Sequence, residues 1–459
     1  MKGDTGSLGS EDLPSQPKLR RVLGLWDLIF YGIVLIQPIS VIGLFGIASK
    51  VSRGHMVTTL LIAMAGMMLT AVSYGRMASL YPSAGSAYTY VGRGLNVYLG
   101  FLAGWVMFLD YLIIPVINTV YGALTLQRLV PSVPFAMWVG IFIVAATVLN
   151  LRGIRSTARS NEILLAVMTV IISIFFILSV KYIFGSQGWG GLFSYKPFYD
   201  PATFNLGAVL TATSFAALTY IGFDGVTTLA EEVRNPARNM LLAPALVCLI
   251  TGLFCGFEIY LAQQVWPDYN SFPNPETAFY DVSGRVGGSI LSNAFAVVLC
   301  IGCLGSCLAG QAGAARLLYA MGRDRVLPGR LFSRLNIKSS IPDFNIILIA
   351  VLTASVSLLL SYQGAAELLN FGAFLGFMGV NMAAFRQFYL QGNKENPRKF
   401  FSNALMPLLG FAVCLVIWLS LPSPAKITGT IWLTAGIIFL AIKTRGFSDK
   451  PVGFDYSDN

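Results

Sequence analysis

Long apolar runs, separated by short polar stretches, occupy most of the chain between residues 25 and 443. An α-helix needs about 20 mostly apolar residues to cross a bilayer, and only helices or closed barrels satisfy the backbone there. The runs lack the ten-residue alternation of a membrane barrel. The pattern therefore predicts an all-α integral membrane protein with about twelve transmembrane helices. The predicted spans are residues 25–49, 57–80, 97–127, 135–150, 160–184, 207–231, 240–265, 287–320, 344–361, 365–390, 405–421 and 427–443.

Two of these spans are interrupted near their centres by helix-breaking residues. The first carries Gln37-Pro38, where the proline removes a backbone donor and clashes with the preceding turn. The sixth carries Gly222 and Gly225 around Asp224. Spans one and six occupy equivalent positions if the first ten helices form two five-helix halves, and such a matched pair indicates the midplane substrate site of a transporter. Two ordinary kinked helices are the alternative interpretation.

Acidic residues inside the apolar runs are the main candidates for function, because an acid at membrane depth is costly unless it faces a cavity or a partner. Asp224 is suited to attract a substrate ammonium or to take up a proton; a helix-end acid bonded to backbone is the alternative. Asp110 in span three is a second candidate. Glu258 is predicted to reach the membrane interface by snorkelling. Nearby aromatic side chains are candidates to line or gate a cavity, with simple packing as the alternative: Tyr111, Phe215, Tyr220 and Phe223.

Composition supports the membrane assignment, since 55% of residues are hydrophobic and 11% are charged, against about 25% charged in soluble domains. A soluble enzyme and a disordered chain are therefore excluded. The net charge of +10 does not indicate a nucleic-acid partner, because the basic residues lie between apolar runs rather than on one patch. With the amino terminus inside, 24 of 31 Lys and Arg residues are cytoplasmic. This bias predicts a multi-pass protein of the cytoplasmic membrane with both termini in the cytoplasm.

Catalytic, metal-binding and cofactor chemistry have little support in the sequence. All six cysteines lie in apolar runs, which favours packing over a metal site, and His55 is the single histidine. The chain has no nucleotide-binding P-loop motif. The protein is therefore predicted to be a transporter rather than an enzyme, with no cofactor and no metal, driven by an ion gradient or by exchange.

Charged residues follow the sixth span at its cytoplasmic end. They are Glu231, Glu232 and Arg234, and they are candidates for a latch at a cytoplasmic gate; a solvated turn is the alternative. The polar ends of the chain, residues 1–24 and 444–459, are predicted to be cytoplasmic tails, the first of them disordered.

Three stretches resemble the amino acid–polyamine–organocation (APC) superfamily of permeases: SYGRMASLYPSAGSAYTYV (73–91), YIGFDGVTTLAEEVRNPARN (220–239) and RLLYAMGRDRVLP (316–328). The segments LDYLIIPVIN, GFDGVTTLAEE and LNFGAFLGFMGVN most resemble bacterial putrescine-importer-type permeases. The resemblance implies a five-plus-five inverted-repeat core over residues 25–390 and two peripheral helices over residues 391–443. It also implies a substrate site between the broken spans, with alternating access driven by protons or by exchange.

The resemblance also assigns residues to the site, with departures that favour a cationic substrate. Gln37 and Ser40 would contribute from span one, where the family's amino acid carriers have a glycine-containing loop for the substrate carboxylate. Met168 stands where many relatives have a lysine. Asp224 would be the main amine contact and the proton-coupling group, and Tyr220 would cap the site.

The function predicted on this basis is import of a small amine, a polyamine such as putrescine, by proton symport. An amino acid permease or exchanger of the same fold is the first alternative. A channel or a transporter-derived sensor is the alternative from a different class. The partners are the amine or amino acid, a coupling proton and the bilayer, and the choice between monomer and homodimer stays open.

Overall fold

Helices account for almost all of the backbone in the computed structural model of the chain. Seven stretches are described: residues 21–36, 40–82, 86–152, 158–323, 328–336, 341–391 and 399–449. Within these stretches no β-strand forms, and an isolated bridge joins Leu23 to Val233. The prediction of an all-α protein is confirmed.

The described residues contain fifteen α-helices. They are α1 Leu25–Ile36, α2 Val41–Val51, α3 Met56–Leu80, α4 Ser86–Gly94, α5 Val97–Leu129, α6 Phe135–Leu151, α7 Ala158–Leu192, α8 Leu206–Ala216, α9 Pro236–Val265, α10 Ala278–Arg323, α11 Gly329–Phe332, α12 Asp343–Ser357, α13 Tyr362–Phe385, α14 Met406–Leu419 and α15 Ser423–Lys443. Two 3₁₀ helices, Ala217–Tyr220 and Phe223–Glu232, lie between α8 and α9. Short π-helical turns occupy Arg386–Leu390 and Phe401–Leu405.

Each predicted span corresponds to a helix or to a pair of helices. Nine helical segments of the described chain are long and apolar enough to cross a membrane. α1 and α2 form a tenth span that bends by 62° across residues 37–39, which lie outside the described residues. α6 and α12 are shorter apolar helices at the places of predicted spans four and nine. The prediction of a multi-pass membrane protein with broken spans one and six is confirmed.

Two helices are longer than the apolar runs that predicted them. α7 and α10 are each kinked at a glycine with a positive φ, Gly188 with φ 64° and Gly288 with φ 66°. Such values suit glycine, which has no Cβ to clash. Each of these helices therefore consists of two helical segments that meet at the glycine, and the apolar run covers only part of their combined length.

An aromatic cluster holds the second half of span six in place. The Tyr74 ring of α3 lies edge-on to three other rings at centroid distances of 5.4 to 5.9 Å. These rings belong to Tyr90 of α4, Phe223 of span six and Phe377 of α13. Edge-to-face aromatic pairs add roughly 0.5–1.5 kcal/mol each beyond their buried area. The cluster therefore positions the segment that carries Asp224 against three helices.

Candidate functional site

The break in span six is a short irregular segment between its two 3₁₀ helices. Ile221 is extended, with φ −64° and ψ 128°, and Gly222 has φ 119°. A φ in this range favours glycine, since an L side chain there costs roughly 1–2 kcal/mol. The chain leaves its helical path at these two residues, which exposes backbone groups next to Asp224.

The breaks in spans one and six adjoin one another. A Cβ added to Gly222 would lie 3.3 Å from Cγ1 of Ile36, the last residue of α1. Ser40 follows on the other side of the first break, while Gln37 lies outside the described residues. The structure therefore brings together the two interruptions that the sequence placed at matching positions.

A cavity of about 390 Å³ lies beside the two breaks. Its walls come from span one, α5, span six, α10 and α13. The lining side chains with polar or aromatic groups are Ser40, Asp110, Tyr111, Asn118, Tyr121, Asp224, Cys303, Ser306 and Tyr362. Four of the residues predicted for the site from the sequence are therefore together at one cavity: Ser40, Asp110, Tyr111 and Asp224.

The electrostatic character of the cavity is set by its two acids. Asp110 is 6% exposed, and its Oδ1 has no hydrogen-bond partner among the described residues. The Asp224 carboxyl lies next to the backbone of Gly222 and Gly225. No lysine or arginine is found among the described residues that line the cavity. Two acids without a compensating cation, in a site of low effective dielectric constant, favour a positively charged occupant.

Polar residues of α5 and α10 complete the wall and were not identified from the sequence. The Asn118 side chain donates to Ile114 O at 2.8 Å and to Ser306 Oγ at 3.0 Å. The sequence contained a signal for Asn118, because it lies two helical turns beyond Asp110 and Tyr111 and so shares their face. Ser306 had no such signal, since small polar residues are common in membrane helices.

Aromatic and charged pairs close the cavity toward the end of the bundle opposite the amino terminus. The rings of Tyr121 and Tyr362 line the cavity with centroids 4.7 Å apart. One turn beyond Tyr121, Thr125 Oγ1 lies 2.9 Å from the Tyr280 hydroxyl. Farther along α5, Arg128 Nη2 lies 2.9 Å from Asp281 Oδ1. These pairs join α5 to α10 and α13 at and beyond the Tyr121 end of the cavity.

Two predicted aromatic site residues lie away from the cavity wall. Phe215 is 3% exposed, and its ring centroid is 6.5 Å from that of Tyr362. The Tyr220 side chain is fully buried, and its hydroxyl donates to Leu60 O in α3 at 2.9 Å. Leu218, rather than Tyr220, lines the cavity at this point of span six.

We expect Tyr220→Phe to lower stability without weakening substrate binding. The change removes one buried hydrogen bond, to Leu60 O, which costs about 1 kcal/mol. Thermal unfolding in detergent measures this loss, while the concentration for half-maximal uptake stays within about twofold of wild type. A tenfold rise in that concentration, with unchanged stability, would instead place the hydroxyl at the substrate.

Backbone hydrogen bonds join the broken spans at the amino-terminal end of the bundle. Val22 N and Leu23 N donate to Glu232 O at 2.8 and 3.0 Å, and Arg234 N donates to Leu23 O at 2.8 Å. Arg234 is exposed and Glu232 is half-buried, while the Glu231 side chain lies outside the description. The predicted gate cluster thus lies where the segment before α1 contacts the end of span six. The hydrogen bonds there are made by the backbone of Glu232 and Arg234.

A second cavity, of about 470 Å³, is larger but has different chemistry. It lies between α5, α12, α13 and α15 on the far side of α5 from the two breaks. Its walls are aliphatic apart from Glu367, Trp432 and two threonines. It is away from both broken spans, so the smaller cavity with two acids is the candidate substrate site.

The fold and the cavity define a membrane transporter. Two broken helices meet at mid-bundle beside a cavity with buried acids, as in carriers that bind substrate at helix breaks. The family model described as amino acid permease matches residues 23–442, and the chain belongs to this family.

Three similar proteins have names that specify an amine or amino acids as the transported substrate. The low-affinity putrescine importer PlaP of Escherichia coli (strain K12) is 32% identical over 94% of this chain and 96% of its own. The vacuolar cationic amino acid transporter 4 of Arabidopsis thaliana is 29% identical over 82% of this chain and 64% of its own. The branched-chain amino acid permease BcaP of Bacillus subtilis (strain 168) is 23% identical over 94% and 95%. The chain is therefore a transporter of the amino acid permease family, and not an enzyme.

Proposed function

We propose that this permease imports a small diamine of the putrescine class by proton symport. Asp224 is the principal contact for one ammonium group, and Asp110 is an acidic contact for the other. Ser40, Tyr111 and Gln37 complete the site in this proposal. The observation that carries it is the presence of two acids and no lysine or arginine among the described residues of the cavity wall.

The charge of the cavity favours a diamine over a zwitterionic amino acid. A diamine presents an ammonium group at each end, so each acid gains an opposite charge. An amino acid also brings a carboxylate, which would be repelled by the acids and would need donors from the backbone or from a cation. The name of the putrescine importer PlaP, which aligns over 94% of this chain, agrees with this choice.

Asp224 is the proposed proton-coupling group because of its place in the break. When the amine leaves, an uncompensated carboxylate at membrane depth is costly, and protonation removes the charge. The proton and the amine therefore alternate on one group. Coupling of this kind needs no other titratable residue in the cavity wall.

The proposed orientation places both termini in the cytoplasm of the cell and the Glu231–Arg234 segment at the cytoplasmic gate. The distribution of Lys and Arg supports it, with 24 of 31 on that side. The proposed division of the chain is a ten-helix inverted-repeat core over residues 25–390 and two peripheral helices over residues 391–443.

Uptake of labelled putrescine into proteoliposomes under an imposed inward pH gradient tests the proposal. We expect saturable uptake that is stimulated by the gradient and inhibited by other diamines. Lysine, which has two ammonium groups like a diamine but adds a carboxylate, is the matched competitor, and leucine is the neutral amino acid.

Two outcomes would contradict the amine assignment. If lysine is taken up and diamines do not compete, the protein is a cationic amino acid permease, the alternative suggested by the name of the Arabidopsis relative. If leucine alone is taken up, the acids of the cavity do not select the substrate. Uptake that never saturates would indicate a channel.

A further inference from the structure

Glu258 is a buried carboxyl that the substrate cavity does not use. It lies on α9 about two turns before the end of the helix at Val265, and it is not part of the cavity wall. Its side chain is 0% exposed. The prediction that it snorkels to the interface is therefore wrong. α9 packs its Glu258 face inward, while Leu253 and Phe257 lie on its exposed face.

Neither oxygen of the Glu258 carboxyl has a hydrogen-bond partner among the described residues. An ionised carboxylate needs donors or a counter-charge once it is removed from water, and a group without them becomes neutral by binding a proton. Cys255 lies one turn earlier on the same helix. A thiol supplies no positive charge.

Several titratable or charged side chains on the elements around α9 have other partners or lie elsewhere. His55 bonds to Ser52 and Asp200, and Tyr220 bonds to Leu60. Asp281 pairs with Arg128, while Arg285 lies over the ring of Trp266. Asp224 lines the substrate cavity, and Lys181 lies on the exposed face of α7.

Helix α7 places a second unpartnered polar group at the level of Glu258. The rings of Phe176 and Phe257 lie 4.9 Å apart, and farther along Gln187 donates to Gln264 O at 3.3 Å. This register puts Ser179 of α7 level with Glu258. The Ser179 side chain is also 0% exposed, and its hydroxyl has no partner among the described residues.

We propose that Glu258 is a proton-binding site separate from the substrate cavity, and that it holds a proton in the conformation seen here. The site exchanges its proton at the end of the bundle where α9 ends, which is the extracytoplasmic side in the orientation proposed above. Glu258 is a positioning residue in transport, because its charge acts through α9 and not on the substrate.

The packing of α9 explains how ionisation of Glu258 would affect the two broken spans. A Cβ at Gly32 of α1 would overlap Val247 of α9, and one at Gly252 of α9 would lie 3.0 Å from the Tyr220 hydroxyl of span six. α9 is thus in close contact with both broken spans. Loss of the proton would place a charge in the interior beside this helix, which disfavours the packing seen here. The present conformation is therefore the one that the protonated site stabilises.

Infrared absorption of protonated carboxyl groups in substrate-free proteoliposomes tests the site directly. We expect Glu258→Gln to lose one protonated-carboxyl band that is present in the wild type at neutral pH.

Glu276→Gln is the matched control, since Glu276 is a half-buried acid of the loop at the same end. Burial raises the pKa of Glu276, against a smaller opposing effect of a backbone hydrogen bond involving Tyr362. Its replacement leaves the Glu258 band in place. Wild-type and Glu258→Gln spectra that superimpose at neutral pH would overturn the proposal.

The pH dependence of putrescine uptake tests the role of the site in transport. We expect wild-type uptake to fall at alkaline pH as Glu258 loses its proton. Glutamine resembles the protonated acid, so in Glu258→Gln this fall is expected at a pH higher by about one unit or more, with uptake at acidic pH unchanged. Glu258→Asp keeps an acid and retains the decline. A Glu258→Gln profile identical to wild type would remove the residue from the transport cycle. If putrescine is not transported, the infrared experiment still decides whether the proton is bound, so the two proposals fail separately.

Discussion

Asp224→Asn is expected to abolish concentrative amine uptake and to raise the half-saturating concentration by about 100-fold or more. The carboxylate and an ammonium about 4 Å apart interact by about 4 kcal/mol at an effective dielectric constant of 20, and each 1.4 kcal/mol is tenfold in affinity. Asparagine keeps the shape of the side chain but carries neither charge nor an exchangeable proton. Uptake in proteoliposomes, with and without a pH gradient, measures both effects.

Asp27→Asn is the matched control for this change. Asp27 lies in the first turn of α1, where its Oδ2 accepts from Gly24 N at 2.8 Å, outside the cavity. The control is expected to keep wild-type affinity and coupling. An Asp224→Asn protein that still responds to the pH gradient as the wild type does would show that Asp224 is not the proton-coupling group.

Gly222→Val is expected to eliminate transport, because the break in span six depends on a left-handed residue. Gly222 has φ 119°, a region that a β-branched residue essentially never adopts. The added side chain would also press on Ile36, whose Cγ1 lies 3.3 Å from the position of a Cβ. Valine would therefore straighten or displace the segment next to Asp224. Initial uptake rates at saturating substrate, corrected for the amount of folded protein, measure the loss.

Gly305→Ala in α10 controls for the loss of a glycine in the membrane. A Cβ at Gly305 meets no atom within 4 Å, so alanine is expected to leave uptake and stability unchanged. Transport by Gly222→Val at more than about one tenth of the wild-type rate would mean that the break does not need a left-handed residue.

The location of the candidate substrate site was largely predictable, because glycine and proline mark the two helix breaks in the sequence. Pro115 and Pro244 lie within α5 and α9, so residue type alone does not interrupt a helix, but the matched pair of interruptions is found where the sequence placed it. Asp224 follows directly from the second break. The residues that share the cavity wall with Asp224 were less predictable. Asp110 and Asn118 belong to a helix distant in sequence, and they line the cavity because of how the helices pack.

Tyr220 and Glu258 show that the position of a residue in a span does not predict the direction of its side chain. Tyr220 is close in sequence to Asp224, but its hydroxyl is directed at Leu60 and away from the cavity. Glu258 is close to the end of α9, but its side chain faces the interior and is fully buried. In both cases, the position of the residue along its helix follows from the sequence, whereas the direction of its side chain depends on packing.

The sequence by itself determined the class of fold, the approximate limits of the spans, the two breaks and the excess of basic residues on one side. These are local properties, since run length, proline, glycine and charge act on the chain where they stand. Only the tertiary structure decided which faces of the helices meet, and therefore that Asp110 and Asp224 share one cavity while Glu258 lies in a separate place. The physical reason is that a membrane helix is apolar on most of its circumference, so its composition does not distinguish the face toward lipid from the face toward protein.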